Sequence, residues 1–275
     1  MSLIEKAVSK LGEHPPAEPL HEEPLIAKSA DVELAPAATA VTPAGNAPQT
    51  GAATETSRSG TMNVEKMRRA GMVTPDGERT QISEEYRLVK RPLLSNAFRR
   101  DGKAIARGNL IMVTSALPGE GKTFTAINLA MSIAQERDQT VLLVDADVAK
   151  ASIPEFLGIP YEKGLLDVLA DPSIPLSDVM IRTQIENVSI LPAGRRHRQS
   201  TELLASEAMR SLVDDLATRY PDRIVIFDSP PLLATSEASV LASHMGQIVM
   251  VVETGKTPQE AVREALNHVD QCEFV

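Results

Sequence analysis

A doubly wound, mostly parallel α/β sheet is the architecture this 275-residue sequence predicts, and three observations predict it. Short apolar runs recur at residues 110–113, 140–144, 188–191, 224–227 and 247–252. Stretches of helical periodicity separate them, notably 206–219, 236–245 and 259–270. Such alternation is the pattern of a parallel sheet covered by helices on both faces. Finally, Ala116-Leu117-Pro118-Gly119-Glu120-Gly121-Lys122-Thr123 lies between the first run and a helical stretch carrying Ile127, Leu129, Ala130, Ile133 and Ala134. It fits [AG]-x-x-x-x-G-K-[ST], a phosphate-binding loop set between strand and helix.

The elements follow in order. Residues 1–12 place Leu3, Ile4, Ala7, Val8 and Leu11 on one helical face, a short amphipathic docking helix that needs a partner surface to be stable; a frayed terminus is the alternative. Residues 13–60 are rich in Pro, Ala, Thr, Ser and Gly without sustained periodicity, the composition of a disordered N-terminal tether. The folded domain is placed at 61–275. Val64, Met67 and Arg68 suit a short helix ended by Gly71, and Thr74-Pro75-Asp76-Gly77 is a turn signal. Ser83 is read as the cap of a second helix, on which Glu84, Arg87 and Lys90 share a face. Such a charge stripe by itself reads as solvated surface.

Composition excludes several functions. A formal net charge of −9 with a pI near 5.2 argues against a general nucleic-acid binder, which needs a basic face to displace counterions. With no Trp and 3 Tyr, the chain lacks a stacking platform for single strands. The single Cys272 rules out an internal disulfide and a cysteine-rich metal site. No apolar stretch is long enough to span a membrane, and Met1 to Leu11 carries charges where a signal peptide would be apolar, so the expected location is the cytoplasm.

The chemistry sits at the carboxyl ends of the predicted strands, where ligands bind such sheets. Pro118, Gly119, Glu120, Gly121, Lys122, Thr123 and Phe124 are the expected nucleotide contacts, with Lys122 aimed at the β/γ-phosphates and Thr123 at Mg²⁺. Asp145 and Asp147 follow the second strand at i and i+2, so strand alternation would turn both toward the γ-phosphate and its metal; a capped turn is the plainer reading. One of them could accept the proton of an attacking hydroxyl. Asp228 closes the 224–227 run and, like Asp147, could hold Mg²⁺ directly or through water.

The phosphate loop, Asp145-Ala146-Asp147 and Phe227-Asp228-Ser229-Pro230-Pro231 resemble the Walker A, A′ and B motifs of bacterial tyrosine kinases, a P-loop NTPase family related to the MinD/ParA ATPases. The nearer likeness is to cytoplasmic tyrosine autokinases linked to exopolysaccharide synthesis and exosortase (PEP-CTERM) sorting, through residues 1–11, 84–94 and Leu191-Pro192-Ala193-Gly194 as well. The resemblance implies ATP and Mg²⁺ as cofactors, Lys122, Asp145 and Asp147 as catalytic residues, and Thr123, Asp147 and Asp228 as the metal set. Asp145 is its proton acceptor. It also implies self-phosphorylation in trans, a transmembrane polysaccharide co-polymerase as activator, recruitment to the inner membrane face, and a homo-oligomer built through Glu84, Arg87 and Lys90.

The sequence departs from the family in places. Val148-Ala149-Lys150 stands where many members carry an arginine pair, leaving Lys150 as a point charge. Tyr86, Tyr161 and Tyr220 are scattered where members end in a tyrosine cluster, so the sequence leaves two readings: a truncated chain lacking its last strand and tail, or acceptor tyrosines on another molecule. The run Arg195-Arg196-His197-Arg198 is read as a solvated loop, with phosphate or acidic-partner contacts as the alternative. A MinD/ParA-like positioning ATPase is the competing function, weakened because Leu117 and Pro118 occupy the stretch where those proteins place a signature lysine. A catalytically silent interaction subunit is a third.

Overall fold

The computed structural model describes residues 58–76, 79–98, 105–220, 222–270, 272 and 275. The docking helix at 1–12 and all but the last three residues of the 13–60 tether lie outside the described residues. Those last three correct the boundary: Arg58–Gly60 is strand β1, not linker.

Seven strands form one sheet. After β1 come β2 (Leu110–Ser115), β3 (Thr140–Asp145), β4 (Ile181–Thr183), β5 (Val188–Leu191), β6 (Arg223–Asp228) and β7 (Gln247–Val251), in the order β1-β4-β5-β3-β6-β2-β7. Every pairing is parallel except β4 with β5. The five strands read from sequence are all present. β1 and β4 were not foreseen, because three residues are too few to display an alternation.

Ten helices are seen among the described residues: α1 (Val64–Arg69), α2 (Gln81–Ala97), α3 (Lys122–Ala134), α4 (Ile153–Leu157), α5 (Leu165–Ala170), α6 (Leu176–Val179), α7 (Ser200–Leu204), α8 (Glu207–Thr218), α9 (Ser236–Ala242) and α10 (Gln259–Asn267). Strand alternation sorts the core into two layers. Leu110, Met112, Leu142, Val144, Val225 and Phe227 face one side, against Leu165, Met209, Val213, Leu241 and Ala265 of the helices there. Ile111, Val113, Val141, Leu143, Ile224 and Ile226 face the other, against Met67, Leu93, Ile127, Leu129 and Ile153. Two covered faces explain why the central strands read as unbroken apolar runs.

Two expectations in the 61–98 segment change. The cap of α2 is Thr80, whose hydroxyl accepts from the Ser83 N–H; Ser83 sits at N3 and returns the bond to the Thr80 N–H at 3.0 Å. Glu84, Arg87 and Lys90 also do not share one exposed face. Glu84 and Arg87 pair in solvent at 2.6 Å, but Lys90 is 4% exposed, donates to the Ser132 carbonyl at 2.5 Å and pairs with Glu136 at 2.7 Å. Each step of three residues falls about 60° short of a full turn, so the third charge has rotated onto the packed side. Among the described residues no helix is long and apolar enough to cross a membrane.

Candidate active site

The loop between β2 and α3 has the shape its glycines allow. Gly119 and Gly121 adopt φ of +89° and +92°, where a side chain would be strained, and a Cβ on either would project into open space. The backbone N–H groups of Gly119, Glu120, Gly121, Lys122 and Thr123 find no acceptor within the described chain. They form a row of donors at the amino end of a 13-residue helix, where the macrodipole adds positive potential. Ser115 steadies the turn by donating to the Leu117 carbonyl at 2.7 Å, and the neighbouring segment is tied in by Leu232 N–H to Ser115 O at 2.8 Å.

This loop borders a cleft of about 710 Å³, a size suited to a nucleotide. Pro118, Gly119, Gly121, Lys122, Thr123 and Phe124 line it. The Glu120 side chain does not, so any nucleotide contact of this residue falls to its backbone N–H. Its carboxylate turns back into the protein, accepting from the Leu117 N–H at 2.6 Å and from the Thr257 hydroxyl, so it braces the loop against the segment after β7.

The three acids are brought together but not as strand alternation predicts. β3 ends at Asp145, so the period of two stops there and the following residues turn away. Asp147 reaches the cleft wall, 7% exposed, with its carboxylate also accepting the Lys150 N–H at 3.1 Å. Asp145 lies behind, fully buried, its Oδ2 accepting the Ser152 and Ile153 N–H groups at 2.9 and 3.0 Å. Asp228 is its register partner on β6 and equally buried. Oδ1 of Asp145 and both carboxylate oxygens of Asp228 have no hydrogen-bond partner.

Burial pushes the Asp228 carboxyl up to about 8; the Thr123 hydroxyl and Lys122 pull against it without completing a hydrogen bond, while Asp145 and Asp147 add to the rise. Burial likewise pushes Asp145 up to about 7, opposed by the Ile153 and Ser152 N–H groups and reinforced by Asp147. Crowded acids without partners are a site prepared for a cation. No group of three or more such side chains closes into a metal cage among the described residues. Mg²⁺ takes few carboxylates and completes its shell with phosphate oxygens and water. The donor row fits a polyphosphate and the orphaned oxygens fit its metal, so these residues suit ATP and Mg²⁺ together.

Several cleft residues carry no signal in the sequence. Lys66 of α1 and Glu155 and Phe156 of α4 line it, with the Lys66 ammonium donating to the Glu155 carbonyl at 2.7 Å. Ser152 lines it too, its hydroxyl 3.3 Å from that of Thr123. Lys150, the point charge left by the missing arginines, stands at the wall. The basic run is exposed throughout, as a solvated loop would be, with Arg195 donating from Nε to Asp167 at 2.6 Å and Arg196 reaching the Ala149 carbonyl at 3.4 Å.

The AAA domain family matches residues 108–273. The tyrosine-protein kinase YwqD of Bacillus subtilis is 32% identical over 69% of this chain and 76% of its own length. The chain belongs to the bacterial tyrosine-protein kinase family. The wzc kinase of Salmonella typhimurium is 34% identical over 60% of this chain, which spans 22% of that longer protein. Among solved structures, the kinase domain of Escherichia coli tyrosine kinase ETK superposes with a TM-score of 0.63 at 25% identity, covering 79% of this chain and 87% of that domain.

Proposed function

We propose that this kinase domain transfers the γ-phosphate of ATP to tyrosine hydroxyls, including those of other copies of itself, and so regulates exopolysaccharide synthesis or export. One observation carries the reading: Lys122 and the unpartnered N–H groups of the loop border a cleft backed by Asp145, Asp147 and Asp228, where Oδ1 of Asp145 and both oxygens of Asp228 have no hydrogen-bond partner. Donors and metal would neutralise the charge that spreads over the transferring phosphoryl oxygens, the main catalytic need of this reaction. Lys122 and the loop hold the phosphates, and Thr123, Asp228 and Asp147 hold Mg²⁺, which supplies charge neutralisation when bound. Asp147, open to the cleft and holding Mg²⁺ only through water, takes the tyrosine proton in place of Asp145, which is sealed behind it and supports the loop and the metal's charge balance.

The partner reading narrows. Glu84 is exposed and Arg87 half-buried beside it, and Leu88 next to them is 69% exposed, so a subunit contact would form there with Lys90 serving the fold. A transmembrane co-polymerase would then supply the membrane attachment of a cytoplasmic kinase. Incubated with labelled ATP and Mg²⁺, the full chain should gain acid-stable phosphotyrosine on itself or on an added tyrosine peptide, and Lys122→Met should abolish it. Labelling of that variant at the wild-type rate would overturn the proposal.

A further inference from the structure

A second pocket, of about 410 Å³, opens far from the cleft. Arg223 begins β6 while the phosphate site lies past the carboxyl ends of the strands, so six strand residues, roughly 20 Å, separate the two. Its charged lining is one-sided: Arg182, Arg219 and Arg223 against the single acid Asp215, which already pairs with Arg219 at 2.7 Å. The Arg223 guanidinium lies over the Tyr220 ring, 3.9 Å from its centroid. Its Nε is buried and has no hydrogen-bond partner. Burial lowers the pKa of Arg223, Tyr220 and Asp222 oppose that fall, and Arg182 adds to it. Asp222 is itself engaged, accepting from the Thr140 hydroxyl at 3.3 Å.

A buried guanidinium N–H without an acceptor is destabilising unless a ligand fills the gap. Arginines arranged in this way suit the fork geometry of phosphate. Ile174, Leu176, Met180 and Leu216 also line the pocket. We infer that this pocket binds a phosphate monoester carried on a flat apolar group, its anion on Arg223 and Arg219 and its ring against Ile174, Leu176 and Met180. A phosphotyrosyl side chain and a nucleoside monophosphate share that chemistry.

Calorimetry on the full chain, with the cleft saturated by Mg²⁺ and a non-hydrolysable ATP analogue, tests this with phenyl phosphate, inorganic phosphate, a phosphotyrosyl peptide and AMP. Phenyl phosphate should bind at least tenfold more tightly than inorganic phosphate. Arg223→Gln should weaken it at least tenfold, and Arg219→Ala, at an exposed side chain that folding does not need, at least threefold. Tighter binding of the peptide than of AMP names a protein source, and the reverse names a nucleotide; either supports the site. Absence of phenyl phosphate binding, equal binding of inorganic phosphate, or insensitivity to Arg219→Ala with the fold intact would overturn it. Because the cleft is blocked throughout, failure here leaves the kinase reading untouched.

Discussion

Replacing Asp145 by Asn should stabilise the ligand-free protein while damaging its chemistry. The wild-type carboxyl is raised from an ordinary 3.8 to about 7, first by burial. A tenfold change in proton affinity is ~1.4 kcal/mol, so keeping this group ionised in the fold costs about 4 kcal/mol above pH 7. The sign follows from linkage: a raised folded value means stability that is full below the ordinary value and lost as pH rises through about 7. Near pH 5 the unfolded chain is already ionised and the folded one is not, so roughly a third of the penalty applies there. The amide oxygen of the introduced asparagine would still accept the Ser152 and Ile153 N–H groups, and a neutral NH₂ would replace the charged oxygen that now has no partner. Because Asp228 and Asp147 remain, about half of the penalty, roughly 2 kcal/mol, is recovered at pH 8; at 2–4 °C per kcal/mol this is a rise of about 4–8 °C in Tm. Thermal unfolding of the full chain in chelator at pH 5 and pH 8 measures it. The gain should shrink to about a third at pH 5, and saturating Mg²⁺ and ATP should stabilise wild type more than the variant, whose labelling rate should fall at least a hundredfold by loss of metal-site charge. A Tm at pH 8 no higher than wild type, or a gain equal at both pH values, would refute the account of Asp145.

Other expectations follow from single residues. Gly164 packs against backbone, where a Cβ would lie 2.5 Å from the Gly194 nitrogen and 2.6 Å from the Pro192 carbonyl carbon, so Gly164→Ala should lower stability by about 1–3 kcal/mol in denaturant titration. Burial works to raise the Asp167 carboxyl, but the Arg195 and Gly164 N–H bonds outweigh it and hold it below the usual carboxylate range. Its contribution is therefore present above the ordinary value and lost as pH falls through the lowered one; Asp167→Asn should cost about 1–3 kcal/mol at pH 7 and visibly less in an acid titration. Lys90→Ala, which strips the Ser132 carbonyl of its donor, should lower Tm by several degrees, whereas Arg87→Ala should leave Tm within about 1 °C of wild type. Light scattering should give the opposite ranking for oligomer mass, and equal effects of both variants on mass would refute Lys90's placement in the fold.

What could be read from the chain in advance was whatever local backbone chemistry encodes. Five apolar runs announced five buried strands, because a parallel strand covered on both faces has no polar positions to spare. The Ala116-to-Thr123 pattern announced the phosphate loop, because glycine at positive φ lets successive N–H groups turn to one side. Tertiary packing decided where side chains go once an element ends. Asp145 and Asp147 part company because β3 stops between them, and Glu120 leaves the cleft because Thr257, 137 residues away in sequence, offers it a hydroxyl. Lys90 turned inward because α3 presents a carbonyl beneath it, and three arginines from β4, β6 and the end of α8 met around Tyr220 without any motif to join them. Periodicity carries information over a few residues, whereas burial, and with it the pKa of an acid or the orphaning of a guanidinium, is set by segments the chain brings together from far apart.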